Sequence, residues 1–160
     1  MSSTDPESQL QRRPCVLMID DDPSVRGSLS KLLEESGYGV RTAADGRSGL
    51  RLLQREQFHL LVLDLDLPGI SGWDLLDFAG SHWPLMPVLV LTGFSSQCVP
   101  GSLYGADALL EKPPDVARLL DIIATLLSET AEARLHRRGK GPLGPGAPAA
   151  VTGAPFKFPF

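Results

Sequence analysis

The sequence has little of what several classes of protein require. Only two of its 160 residues are cysteines, Cys15 and Cys98, too few for a disulfide framework and without the near neighbours of a zinc site. No apolar run approaches the ~18 residues that a membrane-spanning helix needs. The opening residues MSSTDPESQLQRR contain no signal-peptide core. These absences predict a reduced, cytoplasmic protein without a membrane segment.

Positive charge is also in short supply. The formal net charge is −4 and the pI about 5.3, so the basic stripe typical of nucleic-acid-binding proteins is missing. With 42% hydrophobic and 21% charged residues, the composition is that of an ordinary globular protein. A chain of this length is sufficient for one domain with a real core.

Glycine and proline are concentrated at the carboxyl end. Residues 139–160 hold five Gly and five Pro in 22 positions, which predicts a disordered tail. Residues 1–13 are polar and are expected to form a flexible amino terminus. The folded domain is therefore expected at 14–128, and 129–160 is expected to hold a helical extension followed by the tail.

Short apolar runs of strand length alternate with segments of helical period. The runs are CVLMI, YGVRTA, FHLLVL, PVLVL and DALL, and all but the second are almost continuously apolar, as in strands covered on both faces. Five strand–helix repeats predict an α/β fold with a doubly wound, five-stranded parallel sheet. Asp22 and Asp45 are predicted helix caps. The helix expected at about 95–104 contains Pro100 and Gly101 and should be short or broken.

Polar residues end four of the predicted strands. Asp20-Asp21-Asp22 follows the first, Asp64 the third, Thr92 the fourth and Glu111-Lys112-Pro113 the fifth. In an open parallel sheet these carboxyl ends meet at one crevice. Carboxylates that lie close together repel, which raises a pKa or requires a cation, and oxygen ligands are those that Mg²⁺ prefers. The pattern predicts a magnesium and phosphoryl site with one lysine ammonium.

These motifs resemble the receiver domain of two-component response regulators. VLMIDDDPSVRGSL, LVLDLDLPGISGWDLL, VLVLTG and LLEKPPD stand in the family order and at nearly the family spacing. The resemblance implies a flavodoxin-like (βα)5 fold and a Mg²⁺ (or Mn²⁺) cofactor. It implies the following site: Asp64 as phosphoacceptor, Asp21 as direct and Asp20 as partly water-mediated metal ligand, the main-chain carbonyl of Asp66 as a further ligand, Thr92 as the switch hydroxyl, and Lys112 as the partner of the phosphoryl group.

The resemblance also implies a function. A sensor histidine kinase or phosphotransfer protein would donate the phosphoryl group, and the domain would catalyse only its own phosphorylation and dephosphorylation rather than act as an enzyme on other substrates. No second set of amphipathic helices follows residue 128, so we expect a stand-alone module without direct DNA binding. Its output would be a contact with a downstream protein that the sequence does not identify.

Two departures from the family keep alternatives open. Leu109 stands where an aromatic switch residue is usual, and Thr92 and Lys112 are 20 positions apart, about two fewer than is common. A degenerate receiver that binds partners without phosphorylation is therefore one alternative. The other is a haloacid-dehalogenase-type phosphatase, because Asp64-Leu65-Asp66 matches its DxD motif. In that family, however, the motif follows the first strand and the paired acids come later.

Overall fold

The computed structural model describes residues 13–93 and 105–138, and these form the predicted alternation of strands and helices. In chain order the elements are β1 (Cys15–Ile19), α1 (Pro23–Glu35), β2 (Gly39–Ala43), α2 (Gly46–Arg55), β3 (Leu60–Leu63), α3 (Gly72–His82), β4 (Val88–Thr92), β5 (Ala108–Glu111), α4 (Val116–Ser128) and α5 (Ala131–Arg138). The predicted helix at about 95–104, the amino terminus up to residue 12 and the tail from residue 139 lie outside the described residues.

The five strands form one parallel sheet in the order β2-β1-β3-β4-β5. The predicted doubly wound fold is therefore confirmed. The chain runs from β1 outward to β2 and then returns to the other side of β1 with β3. This reversal of direction places a crevice beyond the carboxyl ends of β1 and β3, where open parallel sheets bind their ligands.

A hydrophobic core lies on each face of the sheet. Side chains alternate along β1, so that Leu17 and Ile19 join one core and Val16 and Met18 the other. Helices α2 and α3 cover the first face, and α1 and α4 cover the second. β1, β3 and β4 are buried on both faces, which explains their continuous apolar runs. The mixed sequence of β2 fits its position at the sheet edge.

Both predicted aspartate caps are present. Asp22 accepts hydrogen bonds from the Ser24 and Val25 amides at the start of α1. Asp45 accepts the Ser48 amide at 2.7 Å and its hydroxyl at 3.1 Å. These bonds to its carboxylate lower the pKa of Asp45. The caps satisfy amides that the first turn of a helix leaves unpaired.

Helix α5 lies in the segment after residue 128, where a helical extension is predicted. Helix α5 is fixed by Arg134, which is only 7% exposed. Its guanidinium donates to the carbonyls of Leu126 at 3.3 Å and Glu129 at 3.4 Å, and to that of Leu85. Arg134 therefore joins the end of α4 to the segment before β4. None of the helices in 13–93 and 105–138 is long and apolar enough to cross a membrane.

Candidate functional site

Strand pairing brings the ends of β1 and β3 side by side. The Asp64 amide donates to the Ile19 carbonyl at 2.9 Å, and Ile19 pairs with Leu63. Asp20 and Asp64 therefore leave adjacent strands at the same level. On the other side of β3, Thr92 ends β4 and pairs with Glu111, the last residue of β5.

Three of the predicted carboxylates form one cluster. Oxygens of Asp20, Asp21 and Asp64 all lie within 4.8 Å of one another. Asp20 is 2% and Asp64 4% exposed, whereas Asp21 faces solvent. The set of carboxylate oxygens, with one open side, suits a hard divalent cation that keeps some of its waters.

The predicted lysine reaches this cluster. Lys112 follows β5, and its amide donates to the Thr92 carbonyl at 2.7 Å. Its Nζ lies 3.1 Å from Asp64 Oδ2 and 2.5 Å from Asp20 Oδ2. The Lys112–Pro113 peptide is cis. One ammonium thus contacts two of the three carboxylates, which leaves the cluster with an excess of negative charge.

Burial and charge shift the pKa values of two site residues in the same direction. Burial raises the pKa of the Asp64 carboxyl and outweighs the opposing hydrogen bonds from the Asp66 amide and Lys112. Burial alone would lower the pKa of Lys112, but its hydrogen bonds and charge contacts with Asp20 and Asp64 raise it above the ordinary value. Lys112 is therefore a fixed positive charge at neutral pH. A second cation would favour the ionised form of Asp64.

Asp66 and Thr92, the two other predicted site residues, differ in exposure. Asp66 is exposed, and its amide donates to Asp64 Oδ1 at 3.0 Å, which fixes one oxygen of that carboxylate. Thr92 is buried at the end of β4. The metal role of the Asp66 carbonyl and the switching role of the Thr92 hydroxyl stay predictions.

Two residues that support the site were missed by sequence reasoning. Gly72 begins α3, and a Cβ at this position would overlap the Asp64 carbonyl oxygen and Leu65 Cα. Because glycine has no Cβ, α3 can approach the backbone of Asp64 and Leu65 closely. The other is Arg26, whose Nη1 donates to the Asp20 carbonyl at 2.7 Å. A glycine at the start of a helix could have signalled the first, but no sequence signal marks the second.

Comparison with known proteins agrees with this geometry. The chain matches the response regulator receiver domain family over residues 16–124. It is 39% identical over 114 residues to SilR of Salmonella typhimurium, a probable transcriptional regulatory protein. The aligned region covers 70% of this chain and 50% of SilR. The chemotaxis response regulator CheY4 of Vibrio cholerae is 31% identical with a TM-score of 0.64, covering 71% of this chain and 98% of CheY4. The response regulator TrrA of Thermotoga maritima, solved with Mg²⁺ and BeF, is 27% identical with a TM-score of 0.67 over 71% and 98% of the two chains.

The chain therefore belongs to the response regulator receiver domains of two-component signalling. The family match favours this interpretation over the phosphatase alternative drawn from Asp64-Leu65-Asp66. The chain spans about half the length of SilR. The acidic cluster is consistent with the magnesium pocket of receiver domains.

Proposed function

We propose that Asp64 accepts a phosphoryl group from the phosphohistidine of a sensor histidine kinase or phosphotransfer protein, in a reaction that requires Mg²⁺ or Mn²⁺. The observation that carries the proposal is the position of the buried Asp64 carboxylate, within 4.8 Å of two other carboxylates and 3.1 Å from the Lys112 ammonium. A structural aspartate gains nothing from two like charges beside it. A phosphoacceptor uses them, through the cation they bind.

The chain's own residues position the reactants and screen charge. A carboxylate oxygen of Asp64 forms a bond to phosphorus while the phosphorus–nitrogen bond of the phosphohistidine breaks, and the imidazole leaves and takes up a proton. Lys112 stabilises negative charge on the phosphoryl oxygens, and the Asp66 amide orients the attacking carboxylate. When bound by Asp20, Asp21 and Asp64, with the Asp66 carbonyl, Mg²⁺ supplies further charge neutralisation.

The bound phosphoryl group would act through Thr92. The buried end of β4 carries this residue, whose carbonyl accepts the Lys112 amide, so a hydroxyl bonded to a phosphoryl oxygen would draw the end of β4 toward the site. The altered surface would change contacts with a downstream protein. The expectation of a stand-alone module without direct DNA binding has no support from SilR, which is described as a transcriptional regulatory protein.

Metal dependence of labelling by a small phosphodonor tests the proposal. Incubation with acetyl phosphate and Mg²⁺ should add one phosphoryl group to the intact protein, and EDTA should prevent the addition. Asp21→Ala should slow labelling by at least about tenfold, because the proposed direct ligand of the metal is lost and even the partners that only orient metal ligands are worth about 10–100-fold. Asp22→Ala is the matched control, since Asp22 caps α1 and is predicted to leave the rate near wild type.

Two results would contradict the proposal. Labelling that proceeds equally well in EDTA would show that the acidic cluster is not a metal site. A complete failure of the wild-type protein to label, under conditions that label another receiver, would favour the degenerate-receiver alternative instead.

A further inference from the structure

The polar groups of Asp20 are held from several elements at once. Its amide donates to the Ala43 carbonyl of β2 at 3.1 Å, and its Oδ1 accepts the Asp22 amide at 2.9 Å. Its Oδ2 lies 2.5 Å from Lys112 Nζ. The remaining group, the main-chain carbonyl, accepts the guanidinium of Arg26 at 2.7 Å. Asp20 is therefore fixed in the backbone as well as in the side chain.

The Arg26 side chain makes this contact by extending back toward the residues that precede α1. It lies in the first turn of α1, its amide donates to the Asp22 carbonyl at 3.0 Å, and its side chain is half-buried. The guanidinium thus closes the turn between β1 and α1. This turn contains the whole acidic run from Asp20 to Asp22.

Asp21 depends on that turn more than its neighbours do. It is exposed, and within 13–93 and 105–138 no hydrogen bond or ion pair holds its carboxylate, although an oxygen lies within 4.8 Å of those of Asp20 and Asp64. The orientation of the Asp20 carbonyl fixes the plane of the Asp20–Asp21 peptide. That plane sets the direction in which the Asp21 side chain leaves the backbone.

We propose that Arg26 is a positioning residue of the metal site, which holds the Asp20–Asp21 peptide so that the Asp21 carboxylate faces Asp64. This inference rests on the proposed function, because it assumes that the cluster binds Mg²⁺. Two effects of Arg26 have opposite signs. Its positive charge repels a divalent cation, so removal of the charge alone would strengthen binding. Loss of the peptide orientation would weaken binding, because partners that orient metal ligands are worth about 10–100-fold in affinity.

The sign of the change in affinity therefore distinguishes positioning from simple charge. The experiment titrates the full chain with MgCl₂ and follows the backbone amide shifts of Asp21 and Asp64 by NMR, without a phosphodonor. We expect Arg26→Met to weaken Mg²⁺ binding about tenfold, the lower end of that range. Arg26→Lys, which keeps the charge and one donor, should recover part of the affinity. Lys31→Met removes an equal charge from an exposed position of the same helix and should not weaken binding.

The possible outcomes separate the two proposals. If wild-type protein binds Mg²⁺ and Arg26→Met binds it as tightly or more tightly, the positioning role is wrong and the metal site stands. If wild-type amides show no Mg²⁺-dependent shift, the proposed metal site is wrong and the inference falls with it. Should Arg26→Met fail to fold, as judged by its amide spectrum, Arg26→Lys decides the question: affinity equal to wild type would overturn the proposal, and weaker affinity would support it.

Discussion

Adding one methyl group at Gly72 should displace the backbone of Asp64, the proposed phosphoacceptor. Gly72 begins α3, and its amide donates to the Leu65 carbonyl at 3.1 Å. A Cβ built at this position would lie 2.9 Å from the carbonyl carbon of Asp64 and would overlap the carbonyl oxygen. The neighbours are backbone atoms, which cannot rotate away as a flexible side chain would.

The size of the effect follows from these contacts. Carbon atoms pack at about 3.5 Å or more, so that α3 or the Asp64 segment must move by at least about 0.6 Å. Such overpacking costs about 1–3 kcal/mol of unfolding free energy. A displacement of about 1 Å in a reacting group can cost on the order of 100-fold in rate. We therefore expect Gly72→Ala to slow labelling of Asp64 by acetyl phosphate by about tenfold or more.

Gly80 provides a matched control in the same helix. A Cβ at Gly80 would meet nothing within 4 Å. Gly80→Ala should therefore stabilise the protein by about 0.5–1 kcal/mol through helix propensity, with an unchanged labelling rate. Urea unfolding and intact-mass labelling of both variants make the comparison. Wild-type stability and labelling rate in Gly72→Ala would refute the packing argument.

Three further predictions concern charge, the carboxyl-terminal helix and switching. Asp64→Asn should stabilise the metal-free protein at pH 7. Burial raises the pKa of Asp64, so that above the ordinary pKa of about 4 the ionised carboxylate opposes folding. Urea unfolding in EDTA should show that the gain vanishes below about pH 4, where Asp64 is protonated in the folded and the unfolded protein, and a gain that persists there would contradict the argument. Arg134→Met should lower the unfolding free energy by about 1.5–3 kcal/mol, because three carbonyls lose a charged donor. Arg134→Lys should not restore the lost stability, since one ammonium cannot reach three carbonyls. An unchanged melting curve in Arg134→Met would be inconsistent with these hydrogen bonds. Leu109 is half-buried against a core cluster and lacks the bulk and hydroxyl of an aromatic switch residue. Beryllofluoride, a mimic of the phosphoryl group, should therefore change hydrogen exchange near Thr92 and not across β5. Changes that extend through β5 would show that Leu109 takes part in switching.

The sheet and its strand ends were predictable because their signals are local. A strand buried on both faces reads as a continuous apolar run, as in β1, β3 and β4. The carboxyl ends of parallel strands share one edge, so the chain order alone brings Asp20, Asp64 and Lys112 to the same crevice. The caps at Asp22 and Asp45 follow from short-range hydrogen bonding.

The contacts that support the site were not predictable in the same way. Arg26 binds a carbonyl six positions earlier, and Gly72 is defined by the approach of α3 to Asp64. Both depend on the three-dimensional path of a loop rather than on a periodic pattern. Arg134 is similar, because a basic residue in a basic run looks solvent-exposed until the carbonyls of α4 and Leu85 surround it. The sequence therefore predicts a helical extension after residue 128 but not its attachment through Arg134.

The most direct test of the account is to locate the phosphoryl group itself. After incubation with acetyl phosphate and Mg²⁺, intact-mass measurement should find one phosphoryl group on wild-type protein and none on Asp64→Asn. Asp66→Asn is the matched control, because Asp66 is an exposed carboxylate two positions away. The substitution keeps the backbone amide of residue 66, which donates a hydrogen bond to Asp64 Oδ1. The variant should still accept the group. Stable labelling of Asp64→Asn, or its loss in Asp66→Asn alone, would contradict the assignment of Asp64 as the phosphoacceptor.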